Sequence, residues 1–235
     1  MRVPQKSYEK LAPFLGRKVL HIHTPKCAGS STWTAFPSRR WKRSKTVRHP
    51  KLRGHLTYIE YRDRLAEIGE SIKDYLSFSL VRNPWAWRVS WFTYIQKENP
   101  RRSGHAIEHE LFKKMSFQNY LEWLYDPDAA YTKPKNEGRN IIRQELPDWF
   151  TDEKNEIACD AVLTAENIAE DMLKFSSKHA LLTKRIFMHK NRSNTEDYRQ
   201  FYKSADIEFV ATKNAKLLSK FPYDFDNSTE VKAVI

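Results

Sequence analysis

The stretch that most constrains this chain is residues 22–31, Ile-His-Thr-Pro-Lys-Cys-Ala-Gly-Ser-Ser. It follows an apolar run, Val19-Leu20-His21-Ile22, that reads as a short buried strand. It precedes Thr32-Trp33-Thr34-Ala35-Phe36, which reads as the opening of a helix. A strand, a tight turn with one lysine and one glycine, then paired hydroxyls at a helix start is the layout of a phosphate cradle. The first N–H groups of a helix have no partner within it and point at whatever lies beyond, so they hold an anion. Lys26 adds a mobile point charge, and Ser30 and Ser31 add hydroxyl donors. The G-x-x-x-x-G-K-[ST] spacing of a nucleoside triphosphatase loop is absent. Taken alone, the stretch also fits an ordinary strand–helix turn with a surface lysine.

A second stretch, residues 76–92, repeats the layout. Leu76 to Val81 is another strand of the buried type, with Arg82 at its carboxyl end. Asn83 suits a helix cap and Pro84 its first turn. Ser90 then lies about two helical turns on, so Arg82 and Ser90 can converge on one anion from a strand end and a helix face.

Elsewhere the pattern keeps alternating. Strand 18–23 leads to helix 30–37, and a basic stretch, 38–53, follows. Helix 57–69 carries Tyr58, Tyr61, Leu65 and Ile68 at helical spacing. Strand 75–81 leads to helix 84–97, whose Trp85, Trp87, Trp91, Phe92 and Tyr94 read mainly as core, the alternative being that one of them faces a bound base or the acceptor. Residues 99–110, with Pro100 and Gly104, read as a loop. Helix 116–125 comes next, then a polar loop over 126–140. Strand 160–165 leads to helix 167–175, and helices 195–203 and 206–220 close the chain. Strand and helix in alternation predict an α/β layered domain with a parallel sheet. Ligands of such sheets bind at the carboxyl ends of the strands, and Lys26, Arg82 and Glu166 all fall just past predicted ends. The length of 235 residues suits one sizeable core, hence a single domain over 1–235.

His23-Thr24-Pro25-Lys26-Cys27-Ala28-Gly29-Ser30-Ser31 resembles the 5′-phosphosulfate-binding loop of sulfotransferases, and Val81-Arg82-Asn83-Pro84 through Ser90 resembles their 3′-phosphate-binding motif. The closest resemblance is to the carbohydrate-type branch, which includes the heparan sulfate 2-O-sulfotransferases and small bacterial members. Gly54-His55-Leu56-Thr57-Tyr58 resembles the segment that carries the catalytic base of the 2-O-sulfating relatives. Ala165-Glu166-Asn167 resembles a later strand end. His189-Lys190-Asn191-Arg192-Ser193 resembles the loop that closes over the nucleotide. Phe221-Pro222-Tyr223-Asp224-Phe225 resembles the family's finish. Residues 100–160 match no family segment. Where the family often has Asp and Arg, this chain has Ala86 and Trp87, so the usual local charge pair is absent.

The resemblance implies a P-loop-like three-layer domain, a central parallel sheet flanked by helices. It also implies the donor 3′-phosphoadenosine 5′-phosphosulfate, with no metal. Sulfuryl transfer is an in-line displacement in which the protein positions the reactants and stabilises charge growing on the leaving phosphate oxygen. Lys26 would neutralise that oxygen. Cys27, Ala28, Gly29, Ser30 and Ser31 would hold the 5′-phosphate, Arg82 and Ser90 the 3′-phosphate, and Asn191, Arg192 and Ser193 would close over the nucleotide. A histidine of near-neutral pKa suits removal of the acceptor's proton. His55 is the first choice by the Gly-His match, His23 beside the cradle is its rival, and Glu60 and Glu166 follow.

Composition favours an anionic partner. The 41 basic and 29 acidic residues leave a net charge of +12, which draws anions over long range. The run from Ser38 to Arg53 holds basic residues and no acid, and reads either as an acceptor-side surface or as a solvated loop. Trp41 is thin support for a nucleic-acid face, which would interleave several aromatics. The charge alone does not choose among anionic partners; the resemblance implies a hydroxylated acceptor, an anionic glycan or a small metabolite, rather than nucleic acid. A catalytically silent nucleotide-binding relative and an anion- or nucleic-acid-binding protein using 38–53 are the alternatives. Cys27 and Cys159 are too few for a disulfide framework and point to a reducing compartment. His105 and His109 lack a nearby third ligand and read as a solvated helix face. Met1 to Arg17 has no apolar core of a signal, and no run approaches the roughly 20 apolar residues of a membrane span. The expectation is a cytoplasmic protein without a membrane anchor.

Overall fold

The computed structural model describes residues 18–29, 32, 52, 54–97, 104–132, 140–181, 197–226 and 230–235. Most of the basic stretch 38–53, most of helix 30–37, Ser30, Ser31 and the 189–193 segment lie outside the described residues.

Among the described residues, β1 (Lys18–Ile22), β2 (Tyr75–Val81) and β3 (Ala161–Thr164) form one sheet in the order β1-β2-β3. Both pairings are parallel. β2 is the middle strand, and all of its residues are buried, as a strand covered on both faces requires. Its two serines are accommodated by hydrogen bonds. The Ser77 hydroxyl donates to Asp160 at 2.8 Å, and the Ser79 hydroxyl donates to the Ile22 carbonyl at 2.9 Å. Ile22 pairs with Ser79 and Val81 with Thr164, so the turn after β1, Arg82 after β2 and Glu166 after β3 all emerge at one edge. The outer side of β3 is closed by Val234, which exchanges backbone hydrogen bonds with Val162 at 2.7 and 2.9 Å. That pairing removes an exposed edge.

The helices flank this sheet. α1 (Tyr58–Ala66) starts at Thr57, where Thr57 and Glu60 form a reciprocal capping box. α2 (Pro84–Lys97) is buried on nearly all sides, the property of a helix inside the core rather than on it. Trp87, Trp91 and Arg88 are among its largest fully buried side chains. Arg88 donates to the Ile142 carbonyl at 3.1 Å and to the Tyr125 hydroxyl at 3.3 Å, and its guanidinium lies over the Trp87 ring.

Three stretches differ from the sequence expectation. Residues 99–110, read as a loop, contain α3 (Ala106–Phe112), a helix too short to show its period. It is held by packing on α2. His109 Nδ1 donates to the Ile95 carbonyl at 2.7 Å, and Gln96 donates to the Phe112 carbonyl at 2.8 Å. His105 and His109 are consequently buried rather than on a solvated face. α4 (Phe117–Tyr125) and α5 (Ile168–Lys178) follow the expected order, α5 running further than predicted. Of helix 195–203, the described part, from residue 197 on, forms a single 3₁₀ turn, Tyr198–Phe201. Helix 206–220 is split into α6 (Ser204–Lys213) and α7 (Ala215–Leu218). At the break, the Asn214 side chain donates to the Val210 carbonyl at 2.8 Å, competing with the helix ladder as asparagine does.

Candidate active site at the carboxyl edge of the sheet

The turn after β1 is backbone-strained. Lys26 (φ 62°) and Ala28 (φ 57°) are left-handed, whereas Cys27 between them is not. Each left-handed non-glycine residue costs about 1–2 kcal/mol, and such strain persists only where the surroundings over-determine it. Alternation of this kind turns successive N–H groups to one side and makes a concavity suited to an anion. The carbonyls are held on the protein side. The Trp87 indole N–H donates to the Pro25 carbonyl at 2.8 Å, and the Arg82 guanidinium donates to the Lys26 carbonyl at 3.0 Å. The Thr24 and Ser79 hydroxyls meet at 2.8 Å. Gly29 opens a helix, and the Thr32 hydroxyl donates to its carbonyl at 2.6 Å. Trp87, which stands where the family's charge pair was expected, therefore anchors the lysine turn.

Arg82 and its neighbour are held from behind. The backbone N–H of Asn83 donates to Glu166 at 2.9 Å, and the Tyr223 hydroxyl donates to the other carboxylate oxygen at 3.1 Å. The Asn83 side chain accepts from the Ala86 N–H at 3.1 Å, capping α2, and donates to the Asp224 carbonyl at 2.9 Å. Burial pushes the Glu166 carboxyl up, against its hydrogen bonds and the charge of Arg82. Both of its oxygens are engaged in fixing the β2–α2 junction, and Glu60 is likewise engaged in the α1 cap. Tyr223 belongs to the carboxyl-terminal segment that the resemblance singled out without assigning it a role.

One face of α2 looks onto the turn. Trp87, Ser90 and Tyr94 fall on successive turns of that face. Trp87 reaches Pro25 at one end, and the Lys26 ammonium lies 3.8 Å above the Tyr94 ring at the other. Ser90, buried between them, is thereby on the side of the lysine turn. The sequence marked Tyr94 only as one member of an aromatic cluster read mainly as core. Its signal was its spacing from Ser90 and Trp87, hidden in an aromatic-rich helix.

The rival bases are brought together. The His23 and His55 rings lie 4.8 Å apart between centroids, and His55 Nδ1 is 3.4 Å from the His23 carbonyl oxygen. The Trp149 ring meets His55 edge-on at 6.4 Å. His21 stacks on Phe78 and lies 5.5 Å from His23. Burial, with His55 second, holds His23 down at about 3. Burial also holds His21 well below the ordinary histidine value. Cys27 is fully buried, and burial pushes its thiol up, so it packs as a thiol rather than acting as a thiolate.

Among the described residues there is no group of three or more side chains that could hold a metal ion, and no helix long and apolar enough to cross a membrane. No curated protein and no solved structure matches the chain. A sequence model described as the sulfotransferase family matches residues 16–226. That span contains all three strands, the strained lysine turn, Arg82 with its Glu166 support, and the histidine pair, and over it the chain belongs to the sulfotransferase family.

Proposed function

We propose that this protein transfers the sulfuryl group of 3′-phosphoadenosine 5′-phosphosulfate to a hydroxyl of a carbohydrate or small metabolite. The observation that carries the reading is convergence on one turn. The strained Lys26–Gly29 backbone, the Arg82 guanidinium and the Ser90 face of α2 meet at the carboxyl edge of the sheet. A donor with phosphates at both the 5′ and 3′ positions fits that chemistry. The alternating turn supplies N–H groups for one phosphate, and a guanidinium, which has several donors in a fixed fork, supplies the other.

In this reading Lys26, Cys27, Ala28 and Gly29, with Ser30 and Ser31, hold the 5′-phosphosulfate. Arg82 and Ser90 hold the 3′-phosphate, and Asn191, Arg192 and Ser193 cover the nucleotide. His55 takes the acceptor's proton as the acceptor oxygen bonds to sulfur. The bond from sulfur to the phosphate oxygen breaks, its electron pair stays on that oxygen, and Lys26 with the turn's N–H groups stabilises the charge. The products are a sulfate ester and 3′-phosphoadenosine 5′-phosphate. The two free, buried thiols support a cytoplasmic setting, and the net charge of +12 supports an anionic acceptor such as an acidic glycan.

Calorimetric titration with 3′-phosphoadenosine 5′-phosphate, with 5′-AMP and ATP as controls, tests the donor site. Loss of a hydrogen bond to a charged group removes about 1.5–3 kcal/mol, so Arg82→Ala should weaken binding about 10- to 100-fold. Equal affinity for 5′-AMP, or preference for ATP with Mg²⁺, would refute the reading. Binding without turnover on any hydroxylated acceptor would instead identify a silent relative.

A further inference from the structure

The environment of His55 contains a feature that the proposed chemistry does not use. His23 directly follows β1, immediately before the lysine turn, with its ring pressed against Gly29. A Cβ built on Gly29 would lie 2.2 Å from His23 Nε2 and 2.3 Å from Cδ2. No side chain fits there, so the glycine lets the helix start come down onto the imidazole. The centroid of the same ring lies 4.8 Å from that of His55. The His23 carbonyl oxygen is the atom 3.4 Å from His55 Nδ1. A carbonyl only accepts, so a hydrogen bond there requires the hydrogen of neutral His55 to be on Nδ1 and leaves the lone pair on Nε2.

We propose that His23 is a positioning residue for His55. Wedged by Gly29, it forms one wall of the His55 slot with its ring and sets the His55 tautomer with its carbonyl. Trp149 forms a second wall, edge-on at 6.4 Å. The residue that aims the base is thus continuous with the turn that carries Lys26, and a movement of the helix start at Gly29 reaches His55 through one ring. His23 stays neutral through the neutral pH range, so it adds no positive charge that would make His55 a weaker base. This inference rests on the reading of His55 as the base. It separates His23 from the rival reading in which His23 is itself the base.

The test uses the full chain and needs no acceptor. A long-range ¹H–¹⁵N correlation spectrum of the ¹⁵N-labelled protein near pH 7.5, with His55 assigned by His55→Gln, reads the tautomer directly. Wild type is expected to show His55 with its hydrogen on Nδ1. His23→Ala keeps the carbonyl but removes the ring wall that holds His55 against it, so it is expected to shift His55 to a majority with hydrogen on Nε2, and His23→Phe, which keeps a ring against Gly29, is expected to restore the wild-type signal. A wild-type His55 carrying its hydrogen on Nε2, or a tautomer indifferent to His23→Ala in a folded variant, would overturn the inference while leaving the donor site intact. Absence of nucleotide binding by wild type would overturn the sulfotransferase reading beneath it.

Discussion

Replacing Asn83 with alanine probes the support of Arg82 without touching Arg82. The buried Asn83 side chain makes two separable bonds. It accepts from the Ala86 N–H at 3.1 Å and donates to the Asp224 carbonyl at 2.9 Å. Loss of a helix cap costs about 1 kcal/mol. Leaving a carbonyl without its donor costs about 1–3 kcal/mol, and because Asp224 is exposed, water can reach that oxygen and the lower end applies. The sum is about 2 kcal/mol, a sizeable part of the roughly 5–15 kcal/mol of a whole domain. Asn83→Ser keeps an oxygen that can cap α2 but cannot span to Asp224, so it should lose about 1 kcal/mol. Urea unfolding at pH 7 measures both, with the slope expected to match wild type. The folded Ala variant should also bind 3′-phosphoadenosine 5′-phosphate more weakly, because the Glu166–Asn83 contact that sets the end of β2 is loosened. An Ala variant within about 0.5 kcal/mol of wild type, or one no less stable than the Ser variant, would refute the claim that this side chain braces the site.

Further outcomes follow from the lysine and the histidines. If Lys26 must leave the Tyr94 ring to reach the donor, Tyr94→Leu removes a contact of about 0.5–1 kcal/mol. Calorimetry should then show nucleotide binding tightened about 2- to 5-fold, and weakened binding would contradict this. His23 takes up a proton only near about 3 when folded, against 6.5 for an ordinary histidine. The unfolded chain therefore binds the proton first as pH falls. The stability contribution is full above pH 6.5 and is lost progressively toward the folded value. At pH 5 the loss is at most about 2 kcal/mol, less to the extent that the ring keeps solvent contact, and His21 adds in the same direction. Urea unfolding at pH 7 and pH 5 should show wild type losing more than His23→Phe over that interval. Parallel losses would exclude His23 as a source.

The elements whose causes are local were legible in the chain. β2 and α2 occupy 75–81 and 84–97 as expected, because a largely apolar run, an asparagine cap and a proline at the first helical position act within a few residues of one another. The same locality placed helix 57–69, whose α1 begins at Tyr58 after the Thr57 cap. The Lys26 turn and Arg82 were candidates for the same reason, since each directly follows a strand signal.

What packing decided involves residues far apart in sequence. The parallel registers bring the three strand ends to one edge, and no spacing along the chain encodes a register. Tyr94 under Lys26, Trp87 on Pro25, and Tyr223 and Asn83 on Glu166 are contacts between distant segments. α3 exists because α2 supplies partners for its buried face, and the Asn214 break overrides a continuous helical pattern. The sequence by itself determined which short segments become strand, cap and helix, because hydrophobic periodicity and capping are short-range. Only the tertiary structure decided which side chains meet at the strand ends, because those meetings depend on close packing across the whole core.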